Sequence, residues 1–241
     1  MMKSNPYRIF YEKQGKNYSL ENLESVRAKH EVRARYYEWY TKNWLPSDKD
    51  SPILDIGCGA GQFLYFLRQK GYTNATGIDI ATAQLTLANR MGLNAHCVSA
   101  EEYLKNQKSS IALITMLDVI EHFTSHELYT LMELAYDALI PGGKIIVSVP
   151  NAVSPIGLST RFSDITHETC FSPTTLSQMF CCHDMNILEF RDPWPAPVSN
   201  LHKIWRTVAK ASRGVEVLRL KMLGLSAPKY WSAVIWAVAE K

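Results

Sequence analysis

Long apolar runs are missing from this 241-residue chain: none approaches the roughly 20 residues a helix needs to cross a bilayer, so no membrane span is expected. Nor does the start, Met1-Met2-Lys3-Ser4-Asn5-Pro6, carry an apolar export core, and a cytoplasmic location is the expectation. Cysteine is scarce and poorly spaced for cross-linking. Cys58, Cys97, Cys170, Cys181 and Cys182 make an odd set with no C-x-x-C pair, against both a disulfide framework and a thiolate zinc site. A formal net charge of +3 is too small to imply a nucleic-acid partner. What is present, 46% hydrophobic and 20% charged residues, suits one globular domain with a sizeable core.

One stretch stands out from that background. Ile53-Leu54-Asp55-Ile56-Gly57-Cys58-Gly59-Ala60-Gly61-Gln62-Phe63 reads as a buried strand, a glycine turn and a helix start. Glycines at these positions permit torsions that a β-carbon forbids and let a ligand lie against the main chain. The dinucleotide fingerprint is G-x-G-x-x-G, with a pyrophosphate on the helix N-terminus. Here the spacing is G-x-G-x-G, and Asp55 stands just before Ile56 and Gly57. A carboxylate aimed into such a loop repels a pyrophosphate and suits a cationic ligand group. Cys58 fits the loop as a small residue, with no activating base evident nearby for a nucleophilic role.

From residue 51 onward, short β-rich runs alternate with helical patterns, which predicts an α/β, doubly wound, mostly parallel sheet with helices on both faces. Strands are expected over 52–56, 75–80, 95–99, 111–116, 144–149, 186–190 and 231–239, and the last would close a seven-stranded sheet. Helices are expected over 61–70, 83–91, 125–140 (ended by Pro141-Gly142-Gly143) and 173–185, the last capped by Ser172 before Pro173. A segment rich in Arg, Tyr and Trp, residues 20–44, has helical periodicity; it reads either as a cap over the cofactor cleft or as a helix packed on the sheet edge. The whole chain is expected to form a single domain: a cap over 1–50, a cofactor-binding core over 51–151, and an acceptor-side half over 152–241 with a basic helical insertion over 193–228.

The pattern Leu54-Asp55-Ile56-Gly57-Cys58-Gly59-Ala60-Gly61 resembles motif I of class I S-adenosylmethionine-dependent methyltransferases, whose ligand carries a sulfonium and an ammonium and no phosphate. The resemblance implies a Rossmann-like methyltransferase sheet with an antiparallel last strand, and S-adenosylmethionine as cofactor. Asp79 follows Gly57 at roughly the 20-residue interval where an acid accepts from ribose hydroxyls, and Ile80 beside it would face the adenine. Val98-Ser99-Ala100-Glu101 resembles the family's adenine-contacting turn, which implies Ser99, Ala100 and Glu101 at the cofactor; Ser99 stands where an acid is common, which leaves the Ala100 amide as the anchor, and Glu101 reads alternatively as a solvated helix-start residue. Met116 and Leu117 would border the methionine part through their backbone.

The acceptor side is read from Asp118-Val119-Ile120-Glu121-His122, directly after the fourth strand. In helical or turn geometry positions 118, 121 and 122 share one face, and two carboxylates with an imidazole make either a divalent metal site or a general-base cluster. The run resembles the Glu-x-x-Glu-His segment of ubiquinone-biosynthesis O-methyltransferases and of terminal small-RNA 2′-O-methyltransferases, with Asp118 in place of the first Glu. That resemblance implies Asp118, Glu121, His122 and His167, four before Phe171, as ligands of Mg²⁺ or another divalent ion. Two other readings stand beside it: His122 as a lone general base, or Glu121-His122 as packing residues. Asp164-x-Thr-His and Phe-Ser-Pro also resemble methyltransferases of surface-glycan biosynthesis.

Leu201–Leu225 carries Lys203, Arg206, Lys210, Arg213, Arg219 and Lys221 against Glu216 alone, with Leu201, Ile204, Trp205 and Val208 on one helical face. Such a helix reads as a lid or dimer contact, or as a peripheral membrane contact. The expected activity is methyl transfer to a hydroxyl of a small molecule or a sugar-containing (glycan) precursor, by a monomer or homodimer. An RNA 2′-hydroxyl and a non-catalytic S-adenosylmethionine-binding subunit are the alternatives, the former disfavoured by the modest charge.

Overall fold

The computed structural model describes residues 22–241 together with Lys13. Residues 1–12 and 14–21, which include the beginning of the expected 1–50 cap and of its 20–44 helix, lie outside the described residues.

The strands are β1 (Ile53–Ile56), β2 (Ala75–Asp79), β3 (Ala95–Cys97), β4 (Ile111–Leu117), β5 (Leu139–Pro150), β6 (Asn186–Arg191) and β7 (Val234–Glu240). They form one seven-stranded sheet in the order β3-β2-β1-β4-β5-β7-β6. Pairing is parallel from β3 to β5, and β7 runs antiparallel to both β5 and β6. The strand order reverses between β1 and β4. In open α/β sheets the crevice at the carboxyl ends of such a pair is where ligands bind, and both Gly57 and Asp118 stand there.

The helices are α1 (Leu23–Tyr40), α2 (Gln62–Gln69), α3 (Thr82–Arg90), α4 (Ala100–Leu104), α5 (Ser125–Ala138), α6 (Gly157–Arg161), α7 (Pro173–Cys181) and α8 (Asn200–Met222). Leu104, Leu128, Met132, Leu176 and Phe180 from α4, α5 and α7 pack on one face of the sheet with Ile114, Met116 and Val147. The other face is covered by α1, α2 and α3 through Tyr37, Phe63, Phe66 and Leu67 in one cluster and Val26, Leu64, Leu85 and Ala88 in another. Helix starts follow local chemistry. Thr124 and Glu127 form a reciprocal capping box on α5, and Ser172 caps α7 with Pro173 at its first turn, as the sequence predicts.

Two expectations are corrected. The helix expected over 125–140 stops at Ala138, and β5 begins at Leu139 and runs through Pro141-Gly142-Gly143. Leu139 pairs with Ile111, while the Gly142 amide donates to the Lys241 carbonyl at 3.2 Å and the Lys241 amide to the Gly143 carbonyl at 2.9 Å. Long-range pairing thus overrides a local breaker signal. The helix expected over 173–185 ends at Cys181, and Phe180 and Met185 are both buried around the turn that follows.

Candidate active site

The glycine loop takes the torsions its sequence requires. Gly57, Gly59 and Gly61 have φ of 70°, 52° and 78°, and a β-carbon on Gly57 would collide with the Val119 side chain. The Asp79 carboxylate holds the loop: Oδ2 accepts from the Gly59 amide and Oδ1 from the Ala81 amide, each at 2.8 Å. Its pKa is raised by burial, and these amides partly offset the rise. Asp79 therefore ties β1 to β2 at the position expected to meet a ribose.

Below the loop, the β1–β4 register sets Asp55 opposite Thr115, whose hydroxyl donates to Asp55 Oδ1 at 2.6 Å. Asp55 is only 2% exposed, and burial pushes its pKa up to about 7, against the Thr115 hydrogen bond and with the nearby Asp79 charge adding to the rise. Burial likewise pushes the Cys58 thiol upward, the opposite of what a nucleophilic thiolate needs.

Two cavities open at the crevice. One, of about 310 Å³, is bordered by Asp79, Ile80, Val98, Ala100, Val119 and His122. The second, of about 260 Å³, is bordered by Asp55, Cys58, Gly59, Leu117 and, from α1, His30 and Arg33. Gly57, Gln84 and Asp118 border both, so the two cavities meet across the end of β1. The first suits an adenosine, with apolar walls beside Asp79, and the second suits an amino-acid moiety. On helix α1, Ala34 and Tyr37 are buried against α2, while Lys29, His30 and Arg33 border the second cavity.

Four residues expected at the cofactor border none of this space. Ser99 accepts from the Glu102 amide as the N-cap of α4. Glu101 pairs with Lys105 at 2.8 Å on the exposed side of that helix. Met116 is fully buried in the core, leaving Leu117 at the cavity, and Gly61 turns the loop into α2 with its own position closed by Leu93. His30, Arg33, Gln84 and Phe123 were not singled out from the sequence. The cap reading of residues 20–44 pointed towards the first two, but helical periodicity alone does not say which side chains meet the crevice.

On the acceptor side a turn forms, but of residues 118, 121 and 122 only the last two converge. Asp118 has φ of 57°, a left-handed conformation costly outside glycine, and only a single 3₁₀ turn, Ile120–His122, follows it. Its Oδ1 accepts from Ser148 Oγ at 2.8 Å. The group that converges is instead Glu121, His122 and His167, with one ligand atom of each within 4.8 Å of the others; Asp118 is not among them. The loop after β5 brings His167 in, anchored where the Glu168 and Thr169 amides donate to the Glu121 carbonyl at 2.8 and 3.0 Å.

Backbone carbonyls orient both imidazoles. His122 Nδ1 lies 3.2 Å from the Thr166 carbonyl and His167 Nδ1 lies 2.9 Å from the Arg161 carbonyl. A carbonyl only accepts, so each Nδ1 carries a proton, and Nε2 is the ring nitrogen not engaged in these contacts. His167 Nε2 is 3.9 Å from Glu121 Oε1, and Glu121 Oε2 is buried with no partner. Burial raises the Glu121 pKa well above the usual range, with Asp118 adding to it, and burial lowers that of His122.

A model of the "Methyltransferase domain" family matches residues 28–189, which span the crevice and both its cavities. The chain belongs to that family. Ubiquinone biosynthesis O-methyltransferase from Pseudomonas aeruginosa is 27% identical to this methyltransferase over 105 residues, 41% of this chain and 44% of that one. The chain spans about half the length of the curated relatives it matches. A SAM-dependent methyltransferase from Archaeoglobus fulgidus superposes with a TM-score of 0.61 at 23% identity, covering 98% of this chain and 100% of that one. Geranyl diphosphate C-methyltransferase from Streptomyces coelicolor A3(2), solved with Mg²⁺, geranyl diphosphate and S-adenosyl-L-homocysteine, does so at 0.64 and 13% identity, over 99% of both chains. The sheet of this methyltransferase domain is the Rossmann-like one of solved S-adenosylmethionine-dependent methyltransferases.

Proposed function

We propose that the methyltransferase methylates a hydroxyl of a small molecule or sugar-containing precursor. The convergence of Glu121, His122 and His167 beside the donor cavity carries this reading, because a hydroxyl, unlike an amine, must lose a proton as the new bond forms. When bound, S-adenosylmethionine supplies a methyl group on a sulfonium leaving group. The cradle suits it: Gly57 and Gly59, whose β-carbons would collide with Val119 and Gln84 at the cavity wall, apolar Ile80 and Val98, and Asp79 for the ribose. Arg33 on α1 is our candidate for its carboxylate and Asp55 for its cationic groups. His122, held neutral by burial and fixed by Thr166 so that Nε2 is the basic nitrogen, accepts the hydroxyl proton.

A divalent ion fits the same group. Two imidazole lone pairs and a buried carboxylate with an orphaned oxygen make the donor set of Glu121, His122 and His167. That set suits a first-row transition ion such as Mn²⁺, Fe²⁺ or Zn²⁺ better than Mg²⁺, which prefers an all-oxygen shell. An ion held there would acidify a coordinated hydroxyl. The P. aeruginosa relative, whose name specifies O-methylation, supports the acceptor chemistry.

The test is S-adenosylhomocysteine release across catechols, sugar nucleotides, short RNAs and amines, before and after exhaustive chelation. Turnover of hydroxyl acceptors supports the reading, and turnover of amines alone sinks it. Full activity in chelator would leave His122 as base without an ion.

A further inference from the structure

Helix α8, Asn200–Met222, is docked inside out. A surface helix of a globular protein ordinarily buries its apolar stripe and offers its polar face to water. Here the face turned to the body is polar and cationic. His202 Nε2 lies 3.4 Å from the Tyr36 hydroxyl; Arg206 stacks over Trp39 at 4.9 Å and donates to the Pro195 carbonyl at 2.9 Å. Arg213 pairs with Asp192 at 2.8 Å and donates to the Trp194 carbonyl at 3.1 Å. None of the helix's residues is buried. On the opposite side Leu201, Ile204, Trp205, Val208, Val215 and Met222 form a stripe, each between 49% and 74% exposed.

At 23 residues the helix extends about 35 Å. An apolar stripe of that length is far from the scattered apolar residues of an ordinary surface and marks an interaction site. The polar side of the helix carries Lys203, Lys210 and Lys221, which recur at steps close to whole helical turns, and none forms an ion pair among the described residues. The loop after β5 and α8 both reach Trp231: Ser154 Oγ donates to its carbonyl at 2.7 Å, and Arg213 lies over its ring. That loop adds exposed Ile156 and Leu158.

We propose that α8 docks the enzyme on an anionic phospholipid surface, lying in the interface plane with its apolar stripe among the acyl chains and its lysines among the headgroups. Charge selects this occupant. The helix holds six Lys and Arg residues against one Glu, and Lys203, Lys210 and Lys221 form no ion pair among the described residues, a positive excess that acidic headgroups neutralise. Trp205 on the stripe supplies an amphipathic ring of the kind that settles at headgroup depth. No helix among the described residues is long and apolar enough to span the bilayer, so the contact is peripheral.

Flotation of the full chain with vesicles of phosphatidylcholine, alone or mixed with phosphatidylglycerol, tests this at low and high salt. Expected are co-flotation with the mixed vesicles only, loss in high salt, and about a fivefold drop in partitioning for each of Lys203→Gln and Lys210→Gln. Trp205→Glu should release the protein from vesicles while keeping its circular dichroism and its affinity for S-adenosylmethionine, because α8 borders neither donor cavity. The proposal is overturned if the wild-type chain stays out of the anionic vesicles at low salt. It is equally overturned if it sediments as a dimer that Trp205→Glu dissociates without changing flotation.

Discussion

Asp55→Asn separates what the buried carboxylate does for the ligand from what it costs the fold. In the folded protein its pKa is raised from 3.8 to about 7. Folded protein therefore binds more protons than unfolded chain between those values, and stability is fully present below about pH 4 and lost as pH rises through about 7. At about 1.4 kcal/mol per pKa unit, ionising Asp55 in place costs roughly 4 kcal/mol by pH 8. Asparagine keeps an oxygen to accept the Thr115 hydroxyl and removes the charge. Allowing about 1 to 2 kcal/mol for its buried amide donor, the variant should be about 2 to 3 kcal/mol more stable than wild type at pH 8. It should gain nothing at pH 5. Urea unfolding at both pH values, without ligand, measures the difference. Affinity should move the other way: cationic ligand groups favour ionised Asp55, so wild-type binding tightens by up to tenfold per pH unit from 5 to 7 and that dependence disappears in Asp55→Asn. Equal stability of the two proteins at pH 8, with the same pH dependence of binding, would refute the reasoning.

Three further outcomes are expected. Asp79→Asn removes the charge that accepts the Gly59 and Ala81 amides, and S-adenosylmethionine binding by calorimetry should weaken by about 10- to 100-fold. Gly57→Ala combines φ of 70° with a clash against Val119, so the melting temperature should fall by several degrees, corresponding to about 1 to 3 kcal/mol; an unchanged melting curve would contradict the loop geometry. Under the metal reading, Mn²⁺ or Zn²⁺ should raise the melting temperature of wild type by several degrees and leave Glu121→Gln unaffected. No shift in wild type would count against an ion at Glu121, His122 and His167.

Local chemistry alone carried much of the donor side. Glycines at 57, 59 and 61 announce positive φ because few other residues tolerate it, and strand-helix alternation is a short-range pattern, so β1 to β4 and the interval to Asp79 could be read directly. Tertiary structure decided where distant segments meet. Pairing with Ile111 and Lys241 made a strand of Pro141-Gly142-Gly143, which no local signal favours. The left-handed turn at Asp118 separated it from Glu121, and a loop crossing the sheet edge brought His167 within 3.9 Å of that carboxylate. The amphipathic period of 200–222 was plain from the residues, but which face would dock was not. Periodicity gives the stripe; only the positions of Tyr36, Trp39 and Asp192 determine that the cationic side turns inward and the apolar side is left to solvent.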